Sequence, residues 1–194
     1  KEQTREGLPD EDMAADMLAA VRDRLQQHGF EQYEVSNYAR GARFRSQHNL
    51  TYWSGDGWLA CGASAASFVA GVRRARPRSV PAYLRWVADG MRVDELPEDY
   101  NAATASLEAR LTHQLLGLRQ TEGVSLPVLE AQCGPRVRQA VEAAAARWPD
   151  LLVVRHDRLT PTPRGLWLAN SLMARLSILQ RGEIINEKMR DSIG

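Results

Sequence analysis

Apolar residues recur at helical spacing near the start of the chain, and a strand-like pattern follows them. Residues 9–28 begin with an acidic first turn, and Gly29 stands where a left-handed residue often ends a helix. The apolar positions of this predicted helix are Met13, Met17, Leu18, Val21 and Leu25. Residues 30–38 carry the aromatic and β-branched residues typical of a strand. A helix that leads through one glycine into a strand indicates an α/β unit, so we predict a parallel sheet or barrel.

Polar and small apolar stretches alternate in the next part of the chain. Residues 40–57 are rich in Arg, Gly, Ser, Asn and Asp, which predicts a loop, and residues 58–69 predict a buried strand or turn. Residues 72–78 form a basic run, which is more typical of a solvated loop than of a ligand site. Residues 81–90 predict a short helix. Its inward positions are Tyr83, Leu84 and Val87.

A change of composition near residues 96 and 97 predicts a domain boundary. The elements predicted beyond it are a long helix over 100–118, helices over 123–132 and 135–148, a hairpin over 151–161 and a helix over 163–179. The apolar stripe of the long helix is Tyr100, Ala103, Leu107, Leu111, Leu115 and Leu118. Three helices, a β-wing and a helix describe a winged-helix-like module. Residues 180–194 form a polar tail to which the sequence assigns no role.

Composition narrows the class of protein. The chain has 194 residues, 44% of them hydrophobic and 25% charged, with a formal net charge of +1. This is ordinary for a soluble globular protein, and no global field indicates a nucleic-acid or membrane binder. Two distant cysteines and no long apolar run predict a reducing cytoplasm. The chain begins at Lys1 inside a charged segment, so we expect it to be a piece of a longer protein.

Candidate chemistry is concentrated in residues 48–53, with the sequence HNLTYW, which place an imidazole, a carboxamide, a phenol and an indole close together. YEVSNYA at residues 33–39 precedes this motif, and a small-residue run with Gly62 follows it. LGLR at 116–119, EGV at 122–124, LTPTPRG at 159–165 and Asn170 complete a series of motifs. In this order they resemble the radical SAM haem chaperones (HemW-like proteins), relatives of oxygen-independent coproporphyrinogen III oxidase. The resemblance runs from about residue 8 to residue 176.

The resemblance implies a fold class between α/β and α+β. Residues 1–96 would hold the last elements of a partial radical SAM (β/α)6 barrel and a connecting segment, with residues 30–39 as the sixth strand. Residues 97–179 would form the HemN-type winged-helix-like domain, and residues 180–194 the tail.

The family's cofactors are a [4Fe–4S] cluster, held by a CxxxCxxC motif, and S-adenosylmethionine (SAM) on its open iron. Three thiolates are needed at that spacing, and this chain has only Cys61 and Cys133. The chain alone is therefore not expected to perform radical chemistry, and whether the intact protein is an enzyme stays open.

Haem is the ligand implied for the HNLTYW motif. His48 is the candidate axial ligand of the iron, and Asn49, Tyr52 and Trp53 complete the predicted haem site, since aromatic rings can stack on a porphyrin face. The alternative is structural: His48 and Asn49 would hydrogen-bond a loop to the barrel rim, and Trp53 would pack beneath it.

Residues for a SAM pocket are implied on both sides of this motif. Glu34, Ser36 and Asn37 stand at the predicted carboxyl end of a barrel strand, where α/β folds bind ligands. Gly62 and Ala66 belong to the small-residue run, in which Ala66 replaces a histidine usual in these chaperones. For both groups a structural role, as a polar network or a packed strand, is an equal alternative.

Other polar residues are weaker candidates. The arginines at 73, 74, 76 and 78 could pair with porphyrin propionates, although a solvated loop is favoured. His28, His113 and His156 have no convergent partners in the sequence, and both cysteines are interpreted as buried small residues.

The function implied for the intact protein is to bind haem and pass it to haem-dependent respiratory proteins. Such acceptors imply peripheral contact with membrane-bound partners, and a homodimer is compatible with the sequence. The alternatives are a coproporphyrinogen III oxidase and, least favoured, a nucleic-acid-binding winged helix. Arg138 and Arg147 in its third helix stand beside Glu142 and five alanines, which is a poor basic surface, so no nucleic-acid partner is expected.

Overall fold

Residues 9–178 are described by a computed structural model, in which the chain divides into two units after Arg45. Both helices and sheets are present, as the predicted mixed fold class requires. The predicted boundary at residues 96 and 97 lies inside the second unit and stays a prediction. The predicted tail at 180–194 lies outside the described residues.

Helix α1 (Glu11–Gln27) confirms the first predicted helix. The side chain of Asp10 caps it by accepting a hydrogen bond from the backbone N of Met13 at 2.8 Å. Gly29 follows with a φ of +75°, the left-handed conformation predicted for it. Met13, Met17, Leu18 and Val21 are 50 to 56% exposed.

The single strand predicted over residues 30–38 is wrong. Two short antiparallel strands, β1 (Glu31–Gln32) and β2 (Tyr38–Ala39), form a hairpin instead. The reason is Glu34, whose buried carboxylate accepts hydrogen bonds from the backbone N of Ser36 at 2.9 Å and from Nδ2 of Asn37 at 2.6 Å. These bonds hold residues 34–37 in a turn, because a buried carboxylate needs hydrogen-bond donors and finds them two and three residues further along the chain. Every strand pairing among residues 9–178 is antiparallel, and the barrel setting of this segment stays a prediction.

The loop predicted over residues 40–57 is also wrong. A short 3₁₀ helix (Ala42–Phe44) is followed in the second unit by helix α2 (Gln47–Ser54). The hydroxyl of Ser46 caps α2 by accepting from the backbone N of Asn49 at 3.4 Å, and Gly55 ends it with a φ of +76°. Serine and glycine, which suggested a loop by composition, are here the two boundaries of a helix.

The basic run is a strand rather than a loop. β3 (Ala66–Val69), β4 (Val72–Ala75) and β5 (Glu98–Asn101) form an antiparallel sheet with β4 in the middle. Carboxylates on β5 neutralise two of its arginines: Arg73 Nη1 lies 2.6 Å from Asp99 Oδ2, and Arg74 Nη2 lies 2.5 Å from Glu98 Oε1. The solvated-loop interpretation is therefore corrected for these two side chains.

Helix α3 (Val80–Ala88) confirms the short helix predicted after the basic run. The inward positions predicted for it are wrong for Leu84 and Val87, which are 59% and 37% exposed.

The long helix predicted over residues 100–118 is replaced by three elements. β5 is followed by a turn, helix α4 (Leu107–Gln114) and a 3₁₀ helix (Leu115–Arg119). The turn forms because Asn101 Oδ1 accepts from the backbone N of Ala103 at 3.0 Å, and Ser106 then caps α4. Leu111, Leu115 and Leu118 of the predicted stripe are buried in the core.

The remaining helices and the hairpin follow the predicted order, and strand β6 (Val124–Ser125) replaces the start of the helix predicted over 123–132. The elements after it are α5 (Leu126–Cys133), α6 (Pro135–Arg147), β7 (Leu152–Arg155), β8 (Arg158–Pro161), α7 (Pro163–Trp167) and α8 (Ala169–Ser177). The hairpin predicted around His156 and Asp157 is confirmed, and β8 lies between β6 and β7 in an antiparallel sheet. The predicted final helix is broken at Leu168. Cys133 is buried as predicted, but Cys61 is exposed.

The glycines of two family-like motifs are explained by packing in this core. A Cβ on Gly123 would stand 2.0 Å from the carbonyl oxygen of Leu159, and one on Gly165 would stand 1.9 Å from that of Leu151. The hydroxyl of Thr162 caps α7 by accepting from the backbone N of Gly165 and donates to the carbonyl of Asp150. Strand β8 and α7 can therefore approach their neighbours only where no side chain intervenes.

Replacing Gly165 by alanine should lower the free energy of unfolding by about 3 kcal/mol, because the new methyl group overlaps backbone that cannot move away cheaply. The measurement is urea unfolding of the full chain. Gly57→Ala is the control, since its Cβ would meet one carbonyl oxygen at 3.2 Å and neither glycine has a positive φ. A Gly165→Ala chain as stable as the Gly57→Ala chain would contradict this account.

Candidate functional site

Helix α2 places the side chains of the HNLTYW motif. His48 and Tyr52 stand four residues apart on one face, and their ring centroids lie 4.9 Å apart in an edge-to-face contact. His48 is exposed, whereas Asn49, Tyr52 and Trp53 are half-buried. The four residues predicted as a haem site are thus close together on one turn and a half of helix, but the motif is helical and not the predicted loop.

Aromatic rings continue from Tyr52 into the interior of the second unit. Tyr52 contacts Trp58 with ring centroids 4.5 Å apart, and Trp58 contacts Phe68 at 5.1 Å. Phe68 in turn lies 5.0 Å from the ring of His113 and 6.1 Å from that of Tyr100. Trp58 is held in place because its Nε1 donates to the carbonyl of Ala66 at 2.9 Å.

A cavity of about 560 Å³ lies among these rings. Its lining comes from α2, from the β3–β5 sheet and from α4, and consists of Tyr52, Trp53, Trp58, Phe68, Arg73, Tyr100, Ser106, Glu108, Ala109, Thr112, His113 and Leu116. The volume is within the range of small-molecule pockets, and the mixture of aromatic walls with a few polar groups is typical of them. His48 and Asn49 do not line this cavity, so the predicted site is divided between its wall and the surface of α2.

Trp53 connects the motif to the carboxy-terminal core. The guanidinium carbon of Arg119 lies 4.5 Å from the centre of the Trp53 ring, a cation–π contact. Nη2 of Arg119 also donates a hydrogen bond to Oδ1 of Asn170 on α8. Three motifs that are distant in sequence, HNLTYW, LGLR and Asn170, therefore meet at one arginine.

His113 lines the cavity, although the sequence did not indicate it as a functional residue. Its ring stacks on Tyr100 with centroids 5.0 Å apart and planes inclined by 22°. Burial lowers the pKa of His113 below its ordinary value of 6.5, which keeps the imidazole neutral near pH 7. Neither ring nitrogen has a hydrogen-bond partner within residues 9–178. No local signal could have revealed this position, because its neighbours come from β3 and β5.

The residues predicted for a SAM pocket occupy both units. Glu34, Ser36 and Asn37 are bonded to one another in the turn of the first unit, which agrees with their structural alternative. In the second unit Gly62 has a φ of +100°, and Ala66 on β3 accepts the indole hydrogen bond of Trp58. Their assignment to SAM stays a prediction.

A [4Fe–4S] cluster does not fit the residues of this chain. Two cysteines cannot supply the three thiolates, and residues 9–178 contain no group of three His, Cys, Asp or Glu side chains that could hold a metal ion. In that same part of the chain no helix is long and apolar enough to cross a membrane.

The core of the second unit matches a known domain family. Residues 115–168 match the family model of the HemN C-terminal domain. The fold of most of the chain is similar to that of the coproporphyrinogen III oxidase HemN of Escherichia coli, a radical SAM enzyme, with a TM-score of 0.61 at 14% identity. That match covers 88% of this chain and 42% of HemN.

Similarity in sequence extends to proteins named haem chaperone HemW. The chain is 34% identical to that of Bacillus subtilis over 120 residues, which is 61% of this chain and 30% of the relative. It is 33% identical to that of Mycobacterium tuberculosis (H37Rv) over 172 residues, 87% of this chain and 40% of the relative. The chain thus spans less than half the length of these relatives. The predicted resemblance, to the carboxy-terminal portion of a radical SAM protein of the HemW and HemN group, is confirmed.

The contact between Arg119 and Trp53 should be measurable as a coupling free energy. In a double-mutant cycle of Arg119→Ala and Trp53→Ala, we expect about 1 kcal/mol, since the pair is half-buried. Arg43 and Phe44 form a control pair of similar geometry, at 4.4 Å, but Phe44 is 60% exposed and the coupling should be smaller. Equal coupling in the two pairs would show that Arg119 does not fix α2.

The lowered pKa of His113 predicts a pH-dependent stability. Between the lowered pKa of His113 and 6.5, the unfolded chain binds more protons than the folded chain. The contribution of His113 to the free energy of unfolding is therefore fully present above pH 6.5 and is lost as the pH falls below 6.5. Thermal unfolding at about pH 7.5 and about pH 5 should therefore show a larger loss of Tm in the unaltered chain than in His113→Gln. The same loss in both chains would contradict a neutral, buried His113.

Proposed function

We propose that this chain is the carboxy-terminal part of a haem chaperone of the radical SAM superfamily, which binds haem and delivers it to haem-dependent proteins of the respiratory chain. The observation that carries the proposal is the position of Tyr52 and Trp53. Both belong to the motif by which the chain resembles these chaperones, and both form the wall of the aromatic cavity. The names of the similar HemW proteins support the same function.

The chemistry of the site suits a porphyrin. Flat aromatic side chains offer apolar faces on which a macrocycle can stack, and Tyr52, Trp58 and Phe68 provide a continuous series of them. His48 is exposed beside this series, and the structure describes no hydrogen bond to its ring, so its nitrogens are accessible to iron. A neutral imidazole is a common axial ligand of haem.

Residues 97–179 would form the winged-helix-like domain, which is supported by the order of one helix, one strand, two helices and a hairpin within it, with β8 between β6 and β7. Residues 1–96 would hold the last elements of a partial barrel and a connecting segment, which is supported by the similarity of the chain to HemN.

In the intact protein we propose a [4Fe–4S] cluster whose ligands lie outside this chain. We also propose SAM contacts, for which the candidates are Glu34, Ser36 and Asn37 in the first unit and, separately, Gly62 and Ala66 in the second. When bound, the cluster and SAM supply the radical chemistry of the superfamily. The proposed setting is the cytoplasm, with peripheral contact to membrane-bound haem acceptors and a homodimer as a candidate assembly.

A coproporphyrinogen III oxidase is the second candidate, because the similar solved structure has that activity in its name. A nucleic-acid-binding winged helix is disfavoured. Arg138 on α6 is already surrounded by the carboxylates of Glu142, Asp157 and Glu130, at 2.9, 2.7 and 3.7 Å, which leaves little positive potential for phosphates.

Haem titrated into the full-length protein should shift the Soret band. His48→Ala should weaken binding about tenfold or more, since one iron ligand is lost. His28→Ala is the matched control, because His28 is an exposed histidine at the end of α1.

An unchanged spectrum in His48→Ala would remove His48 as a ligand, and absence of any haem binding would refute the chaperone proposal. Conversion of coproporphyrinogen III by the reconstituted protein would replace it with the oxidase.

A further inference from the structure

A second cavity, of about 350 Å³, adjoins the aromatic cavity within the second unit. Phe68, Tyr100 and His113 line both cavities. No residue of the HNLTYW motif lines the second cavity, whose other walls include three glycines and polar side chains of α4 and α5. Its volume is within the range of small-molecule pockets. It is therefore a separate place at which a different ligand could bind.

Helix α4 places several polar side chains at this cavity. Arg110, His113 and Gln114 stand three and four residues apart, and residues at that spacing share one face of a helix. Gln132 lines the cavity from the end of α5. Neither glutamine side chain has a hydrogen-bond partner among residues 9–178, so both carboxamides can donate to a ligand.

Nε2 of His113 lies on the side of the second cavity. A Cβ on Gly55 would stand 3.0 Å from this nitrogen, and Gly55 lines the second cavity but not the aromatic one. Because glycine has no side chain, the space beside Nε2 stays open. In one tautomer of the neutral ring, Nε2 carries the proton and can donate a hydrogen bond.

The guanidinium of Arg110 has no counter-charge. Its Nε is buried without a hydrogen-bond partner, and its two Nη atoms are accessible and equally unpaired within the described part of the chain. Its near neighbours are uncharged: burial raises the pKa of the Cys133 thiol and of the Tyr100 hydroxyl, and the positive charge of Arg110 opposes both shifts. A half-buried cation without a partner is costly, so this position favours an anion.

We propose that the second cavity binds a short organic carboxylate, whose oxygens accept hydrogen bonds from the Arg110 guanidinium and from the carboxamides of Gln114 and Gln132. A guanidinium matches the two oxygens of a carboxylate with two parallel N–H donors. The apolar part of the ligand would lie against the rings of Phe68 and Tyr100. This site does not depend on the proposed function, because it needs no haem.

The charges of the cavity favour an anion with a single negative charge. Asp56 also lines the cavity, and its Oδ2 accepts a hydrogen bond from the hydroxyl of Ser54 at 2.5 Å. Because His113 is neutral near pH 7, the charged side chains of the lining are Asp56 and Arg110 alone. A phosphate group carries about −1.5 to −2 charges at pH 7 and would be repelled more strongly by Asp56 than a carboxylate.

The test uses the full-length protein without haem, titrated with butyrate at constant ionic strength and followed by saturation-transfer NMR of the ligand. We expect saturable binding with a Kd of about 1 mM, which Arg110→Gln should weaken about tenfold or more. Arg92→Gln is the matched control. It removes the same charge from a side chain that is 66% exposed, pairs with Glu95 and lies outside the cavity lining, so binding should not change.

A second variant keeps Arg110 and adds a charge. Gln132 is exposed, so Gln132→Glu should leave the fold intact while its carboxylate repels the ligand and pairs with the guanidinium. We expect butyrate binding to weaken about tenfold. Gln139→Glu makes the same change at an exposed position of α6 outside the cavity and should have no effect.

Three results would overturn the proposal. They are butyrate binding that does not saturate, equal weakening by Arg110→Gln and Arg92→Gln, and butyrate binding that Gln132→Glu leaves unchanged. Inorganic phosphate is titrated in parallel, and binding tighter than that of butyrate would contradict the assignment to a carboxylate. Since haem is absent throughout, none of these results bears on the proposed function.

Discussion

The contact of Arg119 with Trp53 is the interaction on which the site depends. Arg119 lies at the end of the 3₁₀ helix after α4, and its guanidinium covers the Trp53 ring while bonding to Asn170. Helix α2 is only eight residues long, and a helix of that length is marginal without tertiary packing. Because the stack attaches this short helix to the core, it also fixes the wall that Tyr52 and Trp53 give to the cavity. The core thus determines the geometry of a motif that lies some sixty residues earlier in the chain.

The motifs by which the sequence resembles a family contain two kinds of residue: some are required by close backbone packing, and others line a cavity. Gly123 and Gly165 are needed because a side chain would overlap the backbone of Leu159 and Leu151. They record how closely the elements of the core pack, and they carry no chemistry. Tyr52 and Trp53, by contrast, line a cavity in which a ligand could contact them. A resemblance that combines both kinds of residue therefore identifies the fold more strongly than the function.

Elements with local signals could be predicted from the sequence. Helix α6 and the β7–β8 hairpin were predicted correctly because apolar spacing and a polar turn at His156 define them within their own residues. Composition does not reveal helix α2, because Ser46 and Gly55, which bound it, are residue types that loops also favour. The helix predicted over 100–118 was wrong because one apolar periodicity continued across the turn at Asn101. His113 was beyond sequence reasoning, since its environment comes from strands in other parts of the chain.

The weak support of the His48 imidazole agrees with the proposed transfer of haem to an acceptor. Histidines that hold metals permanently usually donate their second ring nitrogen to a carboxylate or carbonyl, which orients the ring and raises its basicity. His48 has no such bond within residues 9–178. Haem ligated by His48 would therefore be held mainly by aromatic contact, which can be exchanged for the contacts of an acceptor. A transfer protein requires that balance, whereas an enzyme that keeps haem as a cofactor does not.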